Sequence, residues 1–175
     1  MTAPSNIRVL ALDVDGVLTD GKLSMDTSGS KTKIFHVHDG LGISLWQKAG
    51  FHTIIISGRN EPCVEIRADE LKIEHVKQGS KNKIADLEEV LREIQCEPNE
   101  TCFIGDDLGD LAVMKSVGYS IAVKNAVKEI KSNADWVTSK SGGNGAVREA
   151  IEHLMNGNNT WNQSVSSMLT EHANQ

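Results

Sequence analysis

Leu12-Asp13-Val14-Asp15-Gly16-Val17-Leu18-Thr19-Asp20 is the stretch on which the reading of the fold turns. It closes an apolar run, Ile7-Arg-Val-Leu-Ala-Leu12, whose length suits a short buried strand. Two acids then stand two residues apart. On a continuing strand, positions i and i+2 point to the same side, which predicts two carboxylates converging on one small volume. The carboxyl end of a strand is where open α/β sheets place their ligands. Two unpaired carboxylates repel, so a cation beside them is the expected remedy. A strand-to-turn boundary with a capping Asp would explain a lone pair of acids equally well.

The rest of the chain repeats that strand rhythm. Thr53–Ile56, Thr101–Ile104 and Tyr119–Val123 read as further buried strands, and Asp135–Thr138 as a weak fifth. Helical spacing lies between them: Leu41, Leu45 and Ala49; Val64, Ala68 and Leu71; Ile84, Leu87, Leu91 and Ile94; Val147, Ile151 and Leu154. Strands alternating with helices predict βαβ units and a doubly wound, mostly parallel α/β sheet of Rossmann-like type. Residues 18–38 break the rhythm. Extended segments around Lys22–Met25 and Lys33–Val37 flank the turn-forming Asp26–Ser30, which predicts a β-hairpin inserted after the first strand. The expected division is a domain over 1–155 and a polar tail over 156–175. In that tail Trp161, Val165, Met168 and Leu169 make a weak helical stripe, and disorder or docking on another subunit is expected.

Three more segments carry chemistry. Gly105-Asp106-Asp107-Leu108-Gly109-Asp110 follows a strand as the first acidic pair does. A capped helix start accounts for one or two of its acids. Three of them beside a second acidic strand end point to an oxygen-ligand cation site, and hard carboxylates suit Mg²⁺. Ser57, Gly58 and Arg59 supply a hydroxyl, a turn and a fork-shaped cation fit for a phosphate oxygen, although a Ser N-cap also explains them. Lys83 opens an amphipathic helix over 84–94, where a cation opposes the helix dipole unless an anion lies nearby. A solvated surface lysine is the plainer explanation of Lys83 taken alone.

Composition bounds the rest. The chain has 175 residues, enough for one domain with a full core. Its formal charge of −6 argues against nucleic acid or an anionic membrane as the main partner. No apolar run approaches the roughly 20 residues of a membrane-spanning helix, and no secretory signal is visible, so a cytoplasmic protein is expected. Cys63, Cys96 and Cys102 form no metal or disulfide pattern.

The order of these segments (the DxDG, the SGR, the helix-start lysine, the GDDxxD) resembles the haloacid dehalogenase superfamily of phosphohydrolases. The resemblance runs from residue 7 to about 155. It implies Asp13 as nucleophile, Asp15 as general acid/base, and Ser57 and Lys83 as holders of the transferring phosphoryl group. It implies Mg²⁺ held by Asp13, the Asp15 carbonyl and Asp106, with Asp107 and Asp110 in support. The gaps 20–57 and 83–106 leave no room for a cap domain, so a capless member is expected. Asp15–Gly21, Val37–Ile43, Ser57–Pro62, Gln78-Gly79 and Gly142–Glu149 resemble the 3-deoxy-D-manno-octulosonate 8-phosphate phosphatase family, which acts in lipopolysaccharide sugar biosynthesis. That resemblance implies a phosphorylated sugar acid as substrate and a homotetramer whose hairpins build a central barrel. Gly58, Arg59, Arg67 and Arg148 become candidate substrate-binding residues, with Arg suited to a carboxylate. His38 stands where that family usually has Arg. A phosphatase of sialic-acid-type nonulosonate 9-phosphates is the nearest alternative. A phospho-acceptor receiver-like signalling domain is the alternative of another class, disfavoured because Lys83 precedes the second acidic cluster.

Overall fold

In a computed structural model, residues 2–29 and 31–173 are described. The first apolar run forms β1 (Val9–Leu12), buried along its whole length. After a tight loop over Val14–Leu18 come two short antiparallel strands, β2 (Ser24–Met25) and β3 (Lys31–Thr32). They are the inserted hairpin, shorter than its sequence suggests. Val37, read as the end of the second extended segment, is the first residue of α1 (Val37–Lys48), because the His36 ring caps the helix by accepting the His38 N–H. Ser30 of the expected turn lies outside the described residues.

The chain then alternates. β4 (His52–Ile56), α2 (Pro62–Glu70), β5 (His75–Lys77), α3 (Lys83–Ile94) and β6 (Thr101–Gly105) lead into α4 (Leu111–Met114). β7 (Tyr119–Ala122), α5 (Lys128–Asn133), β8 (Trp136–Val137), α6 (Ala146–Gly157) and α7 (Trp161–Ala173) complete it. The six-stranded sheet has the order β5-β4-β1-β6-β7-β8 and every pair in it is parallel. Order reverses at β1, with β4 on one side and β6 on the other. Right-handed crossovers then put α1 and α2 on one face and α3 on the other. This reversal opens a crevice at the carboxyl ends of β1, β4 and β6.

Apolar side chains from both faces fix this frame. Leu10, Leu12, Ile54, Ile55, Ile56, Phe103 and Ile104 are fully buried, as is Trp46, whose indole N–H donates to the His52 carbonyl at 2.8 Å. Cys96 sits just past α3, which Gln95 ends in the left-handed region (φ 56°). The C-terminal stripe folds rather than staying disordered. Trp161 packs against the core and under the Arg148 guanidinium, 4.8 Å from its ring centroid, and Lys48 pairs with Glu171 at 2.5 Å. Residues 174 and 175 of the tail lie outside the described residues. No helix among the described residues is long and apolar enough to cross a membrane.

Candidate active site

Asp13 ends β1 and hands the chain to the loop. Its N–H still donates to the Ile104 carbonyl, so the residue is anchored to β6 (3.1 Å). The strand does not continue to Asp15, as the i, i+2 argument supposed. The backbone turns through Val14 into Gly16 at φ 92°, a left-handed conformation that a side chain would strain. Thr19 closes the turn, its N–H donating to the Val14 carbonyl at 3.0 Å. Asn125 donates to the Gly16 carbonyl at 3.0 Å and accepts from the Gly142 N–H at 2.6 Å, tying the loop to the β8–α6 connection. No sequence signal singled out Asn125.

Lys83 crosses from the first turn of α3 to the acids. Its ammonium donates to Asp13 Oδ1 at 2.5 Å and to Asp110 Oδ1 at 2.7 Å. The other oxygen of Asp110 accepts the Asp106 and Asp107 N–H groups at 3.0 and 3.4 Å, so its carboxylate is fully engaged. Burial works against the Lys83 charge, but Asp13 and Asp110 outweigh it and hold its pKa above the ordinary lysine range. The position that looked costly against the helix dipole is therefore matched by two anions. Burial pushes the Asp13 carboxyl upward, against the pull of Lys83. Burial also lifts Asp106, to about 7, helped by the charges of Asp13, Asp110 and Asp107. Asp107 caps its own turn, accepting the Leu108 N–H at 2.8 Å.

Carboxylate oxygens of Asp13, Asp106 and Asp110 lie within 4.8 Å of one another. Asp110 is already satisfied, which leaves Asp13 and Asp106 to face a cation. Among the described residues no lysine or arginine pairs with Asp106. Crowded, hard, partly desolvated oxygens of this kind fit Mg²⁺.

Ser57 follows β4 and is buried, its hydroxyl accepting the Arg59 N–H at 3.2 Å. The Asp15 carboxylate turns away from the acidic cluster. One oxygen accepts from the Lys33 ammonium, and the other lies 3.7 Å from Arg59 Nε. Asp13, Asp15, Ser57, Gly58, Arg59, Lys83, Asp106, Asp107 and Asp110 all line one open cleft of about 360 Å³, with Leu23 of the hairpin at its edge. Lys33, like Asn125, was missed by sequence reasoning.

Two expected substrate-binding residues are not in this cleft. Arg67 pairs with Glu70 at 2.7 Å and lies 5.7 Å from the centre of the Phe35 ring. Arg148 is held between Glu152 (2.6 Å) and Trp161, while its N–H donates to Asp39 Oδ1 at 2.8 Å. Both side chains stand on helices with strong local partners that no periodicity argument foresees. The glycines before Arg148 instead buttress the first loop: Gly143 N–H donates to the Val17 carbonyl at 3.0 Å.

Comparison with known proteins bears on this arrangement. Residues 72–151 match the family model for haloacid dehalogenase-like hydrolases. The chain is 42% identical over 155 residues to the 3-deoxy-D-manno-octulosonate 8-phosphate phosphatase of Salmonella typhi, covering 89% of this chain and 82% of the relative. The chain belongs to that phosphatase family. A crystal structure of the Yersinia pestis member superposes with a TM-score of 0.87 at 40% identity, covering 89% of this chain and 84% of that one. The Moraxella catarrhalis member, solved with magnesium, phosphate and KDO, superposes at 0.90 with 36% identity and 94% coverage of each chain.

As a member of the family the chain is a phosphoric monoester hydrolase of haloacid dehalogenase fold. The described residues contain no cap domain, as the short gaps in the sequence implied. Among the described residues only the hairpin reaches over the crevice, its Leu23 lining the cleft, so a single chain leaves the phosphatase cleft open to solvent.

Proposed function

We propose that this chain hydrolyses 3-deoxy-D-manno-octulosonate 8-phosphate through a phosphoenzyme on Asp13, with Mg²⁺ as cofactor. The observation that carries the reading is the Lys83 bridge between Asp13 and Asp110, beside Asp106, in a chain 42% identical to such a phosphatase. A Moraxella catarrhalis relative holds magnesium, phosphate and the sugar together.

In this reading an Asp13 oxygen attacks phosphorus and the bond from phosphorus to the sugar oxygen breaks. Asp15 gives its proton to the departing oxygen. A water oxygen then attacks phosphorus, Asp15 takes the water's proton, and the bond to Asp13 breaks, which restores the carboxylate and releases phosphate. Ser57 and Lys83 hold the transferring oxygens, and Arg59 faces the sugar side. The Asp13 carboxylate, the Asp15 carbonyl and Asp106 hold Mg²⁺, while Asp107 and Asp110 secure the loop and the lysine. Bound Mg²⁺ supplies positive charge against which an anionic nucleophile can approach an anionic phosphate.

A homotetramer in the cytoplasm completes the proposal. Exposed apolar side chains, Met25 on the hairpin, Ile34 and Val37 just after it and Ile66 on α2, support an assembly that buries them. In such an assembly Arg67 and Arg148 read the substrate carboxylate only after leaving Glu70 and Glu152, or from a neighbouring subunit. His38 favours a second reading, a nonulosonate 9-phosphate as substrate. Phosphate release from eight- and nine-carbon sugar-acid phosphates, with Mg²⁺ and with EDTA, tests the reading. Activity that survives EDTA, or beryllium fluoride trapped anywhere but on Asp13, refutes it.

A further inference from the structure

Lys33 stands just past β3 and reaches Asp15, a residue of the cleft lining. Its side chain is 4% exposed and donates to Asp15 Oδ1. Two residues earlier, Lys31 pairs with Glu61 at 2.7 Å, at the start of α2. Residues i and i+2 of an extended segment share a side, so both lysines face the domain. Glu61 is itself buried and fixed, its N–H donating to Gln78 Oε1 at 2.9 Å. The hairpin is thereby stapled at two points, one beside α2 and one on Asp15.

The two cations beside Asp15 differ in kind. Arg59 is half-exposed and lies 3.7 Å away, too far for a hydrogen bond through Nε. Lys33 is buried and bonded. A carboxylate held at one oxygen by a fixed donor keeps its second oxygen in a fixed direction. Without Lys33 the cation left beside it is the half-exposed Arg59, which does not bond it.

From this geometry we infer that Lys33 is a positioning residue for Asp15: the hairpin's buried ammonium holds the acid/base carboxylate in the orientation from which it protonates the leaving oxygen. This rests on the assignment of Asp15 above. It makes the hairpin part of the chemistry and more than a rim of the cleft. Placement matters at this scale, since an error of about 1 Å in a reacting group can cost about 100-fold in rate.

The test compares leaving groups. The sugar phosphate expels a primary alcohol, which needs a proton; p-nitrophenyl phosphate expels a phenolate, which does not. The ratio kcat/KM covers the steps up to phosphoryl transfer to Asp13. Lys33→Met is expected to lower kcat/KM about 30-fold on the sugar phosphate and no more than about 3-fold on the aryl ester. Lys33→Arg should restore most of the loss. Lys31→Met, which cuts the other staple, should lower both substrates alike. Asp15→Asn is the reference and should show the largest difference between the two esters. If Asp15→Asn shows none, the assignment of Asp15 fails and this inference with it. If Asp15→Asn shows the difference and Lys33→Met does not, or if Lys31→Met reproduces it, only the role of Lys33 is overturned. Should circular dichroism show Lys33→Met unfolded, Lys33→Gln, which keeps a donor without the charge, carries the comparison.

Discussion

A β-carbon on Gly16 would stand 1.9 Å from Asp106 Oδ2. The second acidic loop therefore rests its carboxylate on the bare backbone of the first. Two strand ends on either side of the same crevice are locked together by the absence of one side chain. Gly16→Ala should displace Asp106 and strain a residue at φ 92°. The left-handed strain alone is about 1 kcal/mol. Phosphate release should fall at least about 100-fold, because the acids and Lys83 lose register. Thermal melting should drop by several degrees.

Asp110 has three hydrogen bonds to lose. Asp110→Ala leaves the Asp106 and Asp107 N–H groups unpaired and strips Lys83 of one partner. Breaking a buried ion pair from one side costs about 3–5 kcal/mol. Urea unfolding should show a loss of that order, together with near-complete loss of turnover. An unchanged denaturation midpoint would contradict the packing described here.

A pH effect on stability is expected far from the cleft. His153 stacks on Trp136 with ring centroids 4.1 Å apart and lies 3.1 Å from the Tyr119 hydroxyl. Burial pushes its imidazole pKa down. The unfolded chain then binds more protons than the folded one between the lowered value and the ordinary value of 6.5. By linkage the stability is full above 6.5 and is lost as pH falls through that window. His52, also lowered by burial, acts with the same sign. The raised carboxyls of Asp13 and Asp106 act with the opposite sign between pH 8 and pH 5.5, so the histidine effect is read as a difference between two proteins. His153→Gln, which still meets the tyrosine hydroxyl but does not titrate, should gain thermal stability relative to the wild type as the pH is lowered from 8 to 5.5.

Ile34 is 82% exposed on the arm that follows β3. If an assembly covers it, Ile34→Glu should shift the particle to a smaller mass by light scattering. It should also lower activity by about tenfold or less, since no side chain of the single-chain cleft is touched. A wild-type chain that already runs as a monomer would remove the expected tetramer.

Local pattern made much of this molecule legible. Continuous apolar runs gave away β1, β4, β6 and β7, because a central parallel strand buries both faces and so lacks polar alternation. β5 escaped: His75-Val76-Lys77 is a three-residue edge strand whose polar ends pair with Glu93 and Glu89 of α3. The short α4 and α5 have four and six residues, less than two turns each and too little for a period to register. The C-terminal stripe looked too weak to fold, yet docking on α1 and α6 supplied what its own sequence lacked.

For the site the division is similar. Asp13, Asp106 and Lys83 could be marked from sequence because each stands at the end of a strand or start of a helix, where chain order alone sets position. Their meeting was decided elsewhere: the order reversal at β1 brings residues 70 positions apart to 2.5 Å. The partners of Asp15, the bridge through Asn125, and the withdrawal of Arg67 and Arg148 to local glutamates belong wholly to tertiary structure. Periodicity and strand-end chemistry are properties of neighbours along the chain. Which cation settles on which carboxylate depends on long-range packing and burial, and these exist only once the sheet has closed.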